Sequence, residues 1–164
     1  TLQSEGSYQK LNFSLSHTQV LNTLFSLQSS FKAQKALGHK NLDGTEDFSI
    51  GGAYGARSYN SSETSGDNGY FVSFNLFYSL PRYKKITHNI STFLDHGKVW
   101  FDEDKSTTLN TRRLSSLGLA YAANYENLSF KTSFAHGFGT DKIPTSNSDD
   151  TNLNKLIFQV IARF

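Results

Sequence analysis

An all-β fold, an antiparallel up-and-down transmembrane β-barrel, is what the 164-residue sequence predicts. Three observations favour it. Apolar and polar residues alternate over seven separate stretches. Each stretch is about 10 residues long, the length of a membrane-spanning strand. Short and long connections also follow one another in strict alternation along the chain. No segment shows convincing helical periodicity.

The alternating stretches indicate strands with one apolar and one polar face, because successive side chains of a strand point to opposite sides. In the first stretch Leu11, Phe13 and Leu15 share one face, and the residues between them are polar. Lys32, Asp95, Lys131 and Arg163 fall on polar faces, as in the water-filled interior of a membrane barrel. The seven stretches are residues 11–17, 24–35, 70–80, 86–97, 117–123, 128–136 and 155–164.

The connections give an independent indication of a membrane barrel, in which turns on the periplasmic side are short and loops on the outside are long. A soluble β-sandwich has no reason to sort its loops in this way. The short connections are residues 19–22, 81–84 and 124–126. The long ones, rich in Asp, Asn, Ser, Thr and Gly, are residues 38–68, 97–112 and 137–152.

Composition excludes several other classes of protein. The net charge of +2 is too small to suggest a nucleic-acid surface. There is no cysteine, and therefore no disulfide framework or thiolate chemistry. No apolar run approaches the roughly 18 residues that a membrane helix needs.

We expect no enzyme, metal site or cofactor. The five histidines do not form a pair with zinc-ligand spacing. No Ser/His/Asp arrangement rises above chance in a serine-rich chain. The segment "GARSYNSSETSG" at residues 55–66 lacks the Gly-Lys-Ser/Thr of a phosphate-binding loop.

Three short motifs follow one another in the middle of the chain. "IGGAYGARSY" at residues 50–59 places an arginine among glycines in a long connection. "SGDNG" opens the next stretch, and "FLDHG" lies on the stretch after that. The motif residues are Gly51, Gly52, Arg57, Ser58 and Tyr59 in the first, Gly66, Asp67 and Gly69 in the second, and Phe93, Asp95 and Gly97 in the third.

This ordered trio resembles the outer-membrane transporters of two-partner secretion, the hemolysin secretion/activation family. Members of that family carry a GG-x-x-x-V-R-G-Y/F hairpin tip, then G-D-x-G, then F-x-D-x-G. Two positions depart from the pattern, since Ala56 replaces the valine and Ser58 replaces the glycine after the arginine. A glycine at that second position often permits an unusual backbone conformation.

The resemblance implies that residues 1–164 are the C-terminal part of a barrel domain of about sixteen strands in a bacterial outer membrane. It also implies that the hairpin at residues 38–68 folds into the lumen. The expected function is a pore that exports a large secreted partner protein of the hemolysin or adhesin type. The expected partners are that exoprotein and the lipid of the outer membrane.

Arg57 and Asp95 are predicted to form an ion pair inside the lumen. An unpaired cation in a confined site is costly, so an arginine at the tip of an inward-folding hairpin needs an anion. Asp95 lies on the polar face of the strand two further along, and a guanidinium offers two parallel donors that match a carboxylate. In the family, the corresponding pair is understood to hold the hairpin.

The last stretch ends "FQVIARF", which resembles the signal read by the barrel-assembly machinery. Its apolar positions include Phe158, Val160 and the terminal Phe164. An ordinary last strand whose final aromatic lies at the membrane interface accounts for the same pattern.

Two alternatives stay open from the sequence. Residues 46–54 could be an eighth strand that closes a small barrel acting as an adhesin or structural protein. The chain could also be a soluble β-rich binding domain, because alternation by itself does not say which face meets water.

Overall fold

The computed structural model describes residues 8–37, 42–61, 63–101, 110–138 and 153–163. Within these ranges the chain is all-β and antiparallel and contains no helix, which confirms the predicted fold class. No helix in these ranges is long and apolar enough to cross a membrane. The strands are β1 (Gln9–Val20), β2 (Phe25–Leu37), β3 (Phe48–Ser49), β4 (Ser65–Gly66), β5 (Asn68–Ser79), β6 (Ile86–Trp100), β7 (Thr111–Tyr125), β8 (Leu128–Phe138) and β9 (Asn154–Ala162).

The seven long strands form one sheet in the order β1-β2-β5-β6-β7-β8-β9, so each pairs with its neighbour in the chain. This is the up-and-down arrangement that the alternating connections predict. The short connections are residues 21–24, 80–85 and 126–127, and the long ones are residues 38–67, 101–110 and 139–153. The fourth stretch, predicted as residues 86–97, is longer in the structure. β6 continues to Trp100, which pairs with both Asn68 and Thr111. Backbone hydrogen bonding between two strands can continue beyond the point where apolar and polar side chains stop alternating.

The apolar face of the sheet is exposed. Leu15, Leu119 and Val160 keep 58%, 60% and 68% of their surface accessible, whereas Ser73, Ser116 and Ser133 on the opposite face are buried. A soluble sheet would have to cover its apolar face, since a contiguous apolar surface of this extent is not left in water. The distribution is that of a membrane barrel wall, with its apolar side outward.

The core lies on the polar face, under the connection between β2 and β5. Ile50, Ala56 and Tyr59 from this connection pack against Phe71, Val99 and Leu114 of the sheet, and Phe48 and Leu153 pack against the cluster. These aliphatic and aromatic side chains are therefore removed from water in the half of the polar face that adjoins the long connections.

Gly97 provides the space for this packing. It lies directly between Phe71 on β5 and Leu114 on β7. A Cβ added to Gly97 would stand 3.1 Å from the Ile50 Cβ, closer than ordinary contact. The glycine of the third motif therefore lets the hairpin approach the sheet.

Residues 46–54 do not provide an eighth strand, so that alternative is wrong for this structure. Only Phe48–Ser49 are extended, and they pair with Ser65–Gly66 in a separate two-stranded ribbon. The chain then turns back on itself, with the Ala56 amide donating to the Ile50 carbonyl at 2.7 Å. In the described ranges β1 and β9 are the edges of the seven-stranded sheet.

Leu15→Lys should lower the yield of assembled barrel. A lysine in the middle of the lipid face of β1 costs about 2–4 kcal/mol, because its ammonium group leaves water. Ser16→Lys is the matched control, since Ser16 is the next residue of the same strand and belongs to the polar face. Heat-modifiable gel mobility of the membrane fraction measures assembly. Equal yields of the two variants would contradict the assignment of the faces.

Candidate functional site

The hairpin, defined here as residues 42–67, bends sharply at its tip. The ribbon of β3 and β4 brings its arms together. Beyond the ribbon, the Gly52 amide donates to the Tyr59 carbonyl at 3.1 Å, and the Gly55 amide donates to the Gly52 carbonyl at 3.0 Å. These local hydrogen bonds satisfy the backbone of a segment that has no strand partner.

Gly51 and Gly52 are required by this geometry. Gly52 has φ of 87°, a conformation that disfavours any residue with a Cβ. A Cβ on Gly51 would lie 2.1 Å from the Asn60 carbonyl oxygen. Ser58, in contrast, does not have a positive φ, which among the described non-glycine residues is found only at Lys84 and Glu126. The serine at the family's glycine position therefore carries no backbone strain here.

The tip places Arg57 against Asp95 of β6. The Arg57 Nε lies 3.1 Å from Asp95 Oδ2, and Arg57 Nη2 donates to Asp95 Oδ1 at 3.1 Å. This is the two-pronged arrangement of a guanidinium on a carboxylate. The Asp95 side chain is fully buried and that of Arg57 is 12% exposed. The structure thus brings together the two residues that the sequence paired.

Asp95 is further held by its two cross-strand neighbours. Ser73 on β5 and Ser116 on β7 stand directly opposite it in register. The Ser73 hydroxyl donates to Oδ1 at 2.7 Å, and the Ser116 hydroxyl donates to Oδ2 at 3.1 Å. With the Arg57 backbone amide at 3.3 Å, the carboxylate accepts from five donors. Such saturation offsets the desolvation of a buried charge.

The guanidinium has three more partners on the sheet. Arg57 Nη2 donates to the Ser73 hydroxyl at 3.2 Å. Arg57 Nη2 donates to Asn75 Oδ1 at 2.7 Å. The Arg57 Cζ lies 3.7 Å from the centre of the Phe93 ring, a cation–π contact. Phe93 in turn lies over Gly118, where an added Cβ would come within 2.5 Å of its ring. Phe93 of the third motif is therefore a platform for the arginine.

The second motif joins the hairpin to the start of β5. Asp67 is fully buried, and its Oδ1 accepts from the Leu42 amide at 2.6 Å. A Cβ on Gly69 would meet the Phe48 ring at 2.6 Å, and one on Gly66 would meet the Trp100 backbone at 3.0 Å. The two glycines allow the ribbon to lie on the sheet, and the aspartate ties the first arm of the hairpin to the second.

Residues outside the three motifs complete the site, and sequence reasoning did not find them. Lys155 of β9 donates to the Tyr59 carbonyl and to Asn60 Oδ1, both at 3.1 Å. Gly137 of β8 makes room for the tip, because an added Cβ would stand 2.7 Å from Ser58 Oγ and 3.0 Å from the Tyr59 hydroxyl. Their only sequence signal is position on a polar face, which many other residues share.

The residues predicted for the assembly signal lie apart from this site. Phe158 and Val160 are on the exposed apolar face of β9, where 64% and 68% of their surfaces are accessible. Phe164 lies outside the described residues.

A second ion pair ties the first arm of the hairpin to β1. Lys10 Nζ lies 2.6 Å from Glu46 Oε2, and the Glu46 carbonyl accepts from Gln34 at 2.9 Å. Hydrogen bonds from Lys10 and Tyr8 lower the pKa of Glu46, and the hydrogen bond to Glu46 raises the pKa of Tyr8. Because folding lowers the pKa of Glu46, the contact is at full strength above the ordinary glutamate pKa. It is lost as the pH falls through the lowered value.

The arrangement suits mechanical fixation of the hairpin. Among the residues that the structure describes, no three His, Asp or Glu side chains are grouped as metal ligands would be. The charged groups at the hairpin tip neutralise each other's charge and form hydrogen bonds with each other. What they can do is hold the hairpin on the sheet in one position.

Comparison with known proteins identifies the family. The family model for the haemolysin secretion/activation protein ShlB/FhaC/HecB matches residues 2–141. The chain belongs to this family. Membership confirms the resemblance drawn from the three motifs and, with it, the predicted class of outer-membrane β-barrel proteins of protein secretion.

Among solved structures, CdiB from Escherichia coli is similar, with a TM-score of 0.77 and 19% sequence identity. The match covers 94% of this chain and 27% of that chain. At this identity the likeness concerns the fold, and it matches the chain to roughly a quarter of a larger protein. None of the curated proteins matches the chain.

Replacing both Ser73 and Ser116 by alanine should loosen the hairpin tip. The change removes two donors from a fully buried carboxylate, each worth about 1.5–3 kcal/mol when the acceptor is charged. We expect hydrogen exchange of the amides at residues 50–59 in the detergent-solubilised barrel to accelerate by roughly tenfold or more. Ser91→Ala is the control, since Ser91 is also buried on the polar face of β6. Equal acceleration in the control would contradict the role given to the serine pair.

Glu46→Gln should lower the pKa of Tyr8 towards the ordinary value of a tyrosine. The substitution weakens the hydrogen bond from the phenol to residue 46 and removes the negative charge that opposes ionisation of the phenol. Alkaline ultraviolet difference titration measures the effect, and a Tyr8→Phe background identifies which tyrosine responds. Glu63→Gln serves as the control, because Glu63 lies on the other arm of the hairpin. If Glu46→Gln still changes the titration in the Tyr8→Phe background, the contact between Tyr8 and Glu46 is contradicted.

Proposed function

We propose that this chain forms part of the wall of an outer-membrane pore that exports a secreted partner protein, and that its hairpin lies in the lumen of that pore. The observation that carries the proposal is the Arg57–Asp95 pair, buried between the hairpin and the polar face of the sheet. The exposed apolar face supports insertion in lipid, and family membership supports a role in secretion.

The proposed barrel has about sixteen strands, of which the seven long strands described here supply one part. On this proposal the long connections face the outside, and the polar face that bears the hairpin lines the lumen. A hairpin resting there would occupy the route of the exported chain. It would have to shift, or leave room beside it, for the partner to pass.

The most deeply buried anchoring contact fits such a role because it consists of a few polar groups at the hairpin tip. Removing one partner of a buried pair costs about 3–5 kcal/mol, whereas breaking an exposed pair costs less than about 1 kcal/mol. The pair therefore fixes the position of the hairpin at rest. A wet lumen would supply replacement hydrogen bonds when the hairpin moves.

The proposed partners are a large exoprotein, outer-membrane lipid and the barrel-assembly machinery. For the last of these, the support is the alternating final strand with Phe158 and Val160 on its apolar face. The soluble binding domain is disfavoured by the exposure of residues such as Leu119 and Val160. The small closed barrel is disfavoured by the seven-strand order with β1 and β9 at its edges.

A double-mutant cycle on Arg57 and Asp95 tests the proposal in the full-length transporter. Arg57→Ala and Asp95→Ala should each reduce secretion of the partner more than they reduce barrel abundance, because each leaves the other charge unpaired. Combining them should cost less than the sum of the single losses. Secreted partner normalised to assembled barrel is the measurement, and Arg82→Ala, at the opposite end of the sheet, is the control.

Strict additivity of the two alanine changes would contradict the coupling. The swap Arg57→Asp with Asp95→Arg provides a further test. It should restore some secretion if the two side chains act mainly on each other. It should restore little if Ser73, Ser116 and Asn75 bind the two groups with fixed polarity, as their hydrogen bonds suggest.

A further inference from the structure

Cations stand on the apolar face of the sheet, at the end that bears the long connections. Lys98 on β6 and Arg113 on β7 lie directly opposite each other in register. Lys98 is an even number of residues from Leu94 on β6, and Arg113 is an even number from Leu117 on β7. Both cations therefore belong to the outward face rather than to the lumen side. Lys35 of β2 shares that face, and it pairs with the outward Leu11 of β1.

The placement of Lys98 and Arg113 is electrostatically unfavourable by itself. Like charges directly opposite on neighbouring strands repel each other. Arg113 and Lys35 also make contacts elsewhere in the chain. A guanidinium nevertheless has five N–H donors and an ammonium has three, so each can bind more than one acceptor. An anion that bridges the two opposed side chains would convert their repulsion into attraction.

Aromatic side chains lie beside Lys98. The Lys98 ammonium lies 5.5 Å from the centre of the Trp100 ring. Tyr70 is opposite Lys98 on β5, and its ring lies 6.0 Å from that of His96. Tryptophan and tyrosine at the end of an apolar strand face are typical of the membrane interface, where apolar chains meet headgroups.

A groove of about 290 Å³ opens on the same face beside this cluster. Its walls include Leu11, Phe13 and Ala33, and it is bounded by Lys35 and Trp100. The groove is therefore apolar along the strands and basic at its outer end. An amphiphile with an acyl chain and a phosphate group matches this surface, since its apolar chain fits the apolar part and its anionic group fits the basic end.

We propose that this surface binds a phosphorylated lipid of the leaflet around the long-connection end, with the phosphate between Lys98 and Arg113 and an acyl chain in the groove. The proposal rests on the proposed function only in requiring a membrane-inserted barrel. Basic side chains near a membrane surface attract anionic lipids, and basic pockets on membrane proteins bind phosphorylated headgroups. A phosphate also accepts two donors from arginine in parallel.

The test uses the full-length transporter purified in detergent and native mass spectrometry. The probe is bisphosphorylated lipid A, compared with the same lipid after removal of its phosphates. The variant is Lys98→Gln with Arg113→Gln. The matched control is Lys84→Gln with Lys85→Gln, which removes two cations at the short-connection end. Heat-modifiable mobility verifies that every protein is an assembled barrel.

We expect the wild type and the control to retain the phosphorylated lipid, and the variant to retain it roughly tenfold less well. Retention of the dephosphorylated lipid should be weak and equal in all three proteins. Excess inorganic phosphate should not displace the lipid, because the groove adds the contribution of the acyl chain. Displacement by inorganic phosphate alone would assign the cations to a free anion and overturn the lipid proposal.

Equal retention by variant and wild type, or no preference for the phosphorylated lipid, would also overturn it. A dimer that depends on Lys98 and Arg113 and excludes lipid would assign the surface to a second copy of the protein. Secretion assays on the Arg57 and Asp95 variants report separately on the proposed function. Loss of lipid retention with secretion intact would therefore concern this surface alone.

Discussion

A single buried carboxylate is the constraint on which the rest of this structure depends. Asp95 lies in the middle of a seven-stranded sheet with no accessible surface, and an isolated charge there would be prohibitively costly. The hairpin brings Arg57 to it, and the flanking strands bring one serine each. The carboxylate therefore determines where the hairpin lies. The hairpin in turn determines which part of the polar face becomes a core.

The accessibility of the two sheet faces is the reverse of that in a soluble protein. In a soluble sheet the apolar face is covered and the polar face is wet. Here the apolar face is exposed, and a small apolar cluster on the other face contains Ile50 and Tyr59 from the hairpin. The glycines under the hairpin allow this close approach, as Gly97 does beneath Ile50. The glycines of the motifs are thus explained by packing as much as by backbone conformation.

The hairpin is attached at several separated places. Its first arm is tied to β1 through Lys10 and Glu46, its tip to β5, β6 and β7 through Arg57, and the residues after the tip to β9 through Lys155. Strands far apart in the sheet are therefore linked through one connection. The charged contact at the tip is the most deeply buried of these, so it contributes most to fixing the position.

The sequence by itself determined the strands, their faces, the alternation of connections and the pairing of Arg57 with Asp95. Strand alternation is a local property and could be read without coordinates. The pairing of Arg57 with Asp95 was predicted because the motifs that contain the two residues resemble those of the family, and because a guanidinium matches a carboxylate. The family resemblance rested on the spacing of glycines and charges within the same short segments. Strand ends were less certain, as at Trp100, because backbone pairing can outlast the alternation.

Only the tertiary structure decided which polar residues join the site. Ser73, Ser116 and Asn75 look like any other small polar residues of the polar faces. They are distinguished only by the register that places them beside Asp95 or under the guanidinium. Lys155 is 98 residues from Arg57 in the chain and contacts the hairpin because of sheet order. Register and strand order are long-range properties of the folded sheet, and the local pattern of one strand does not contain them.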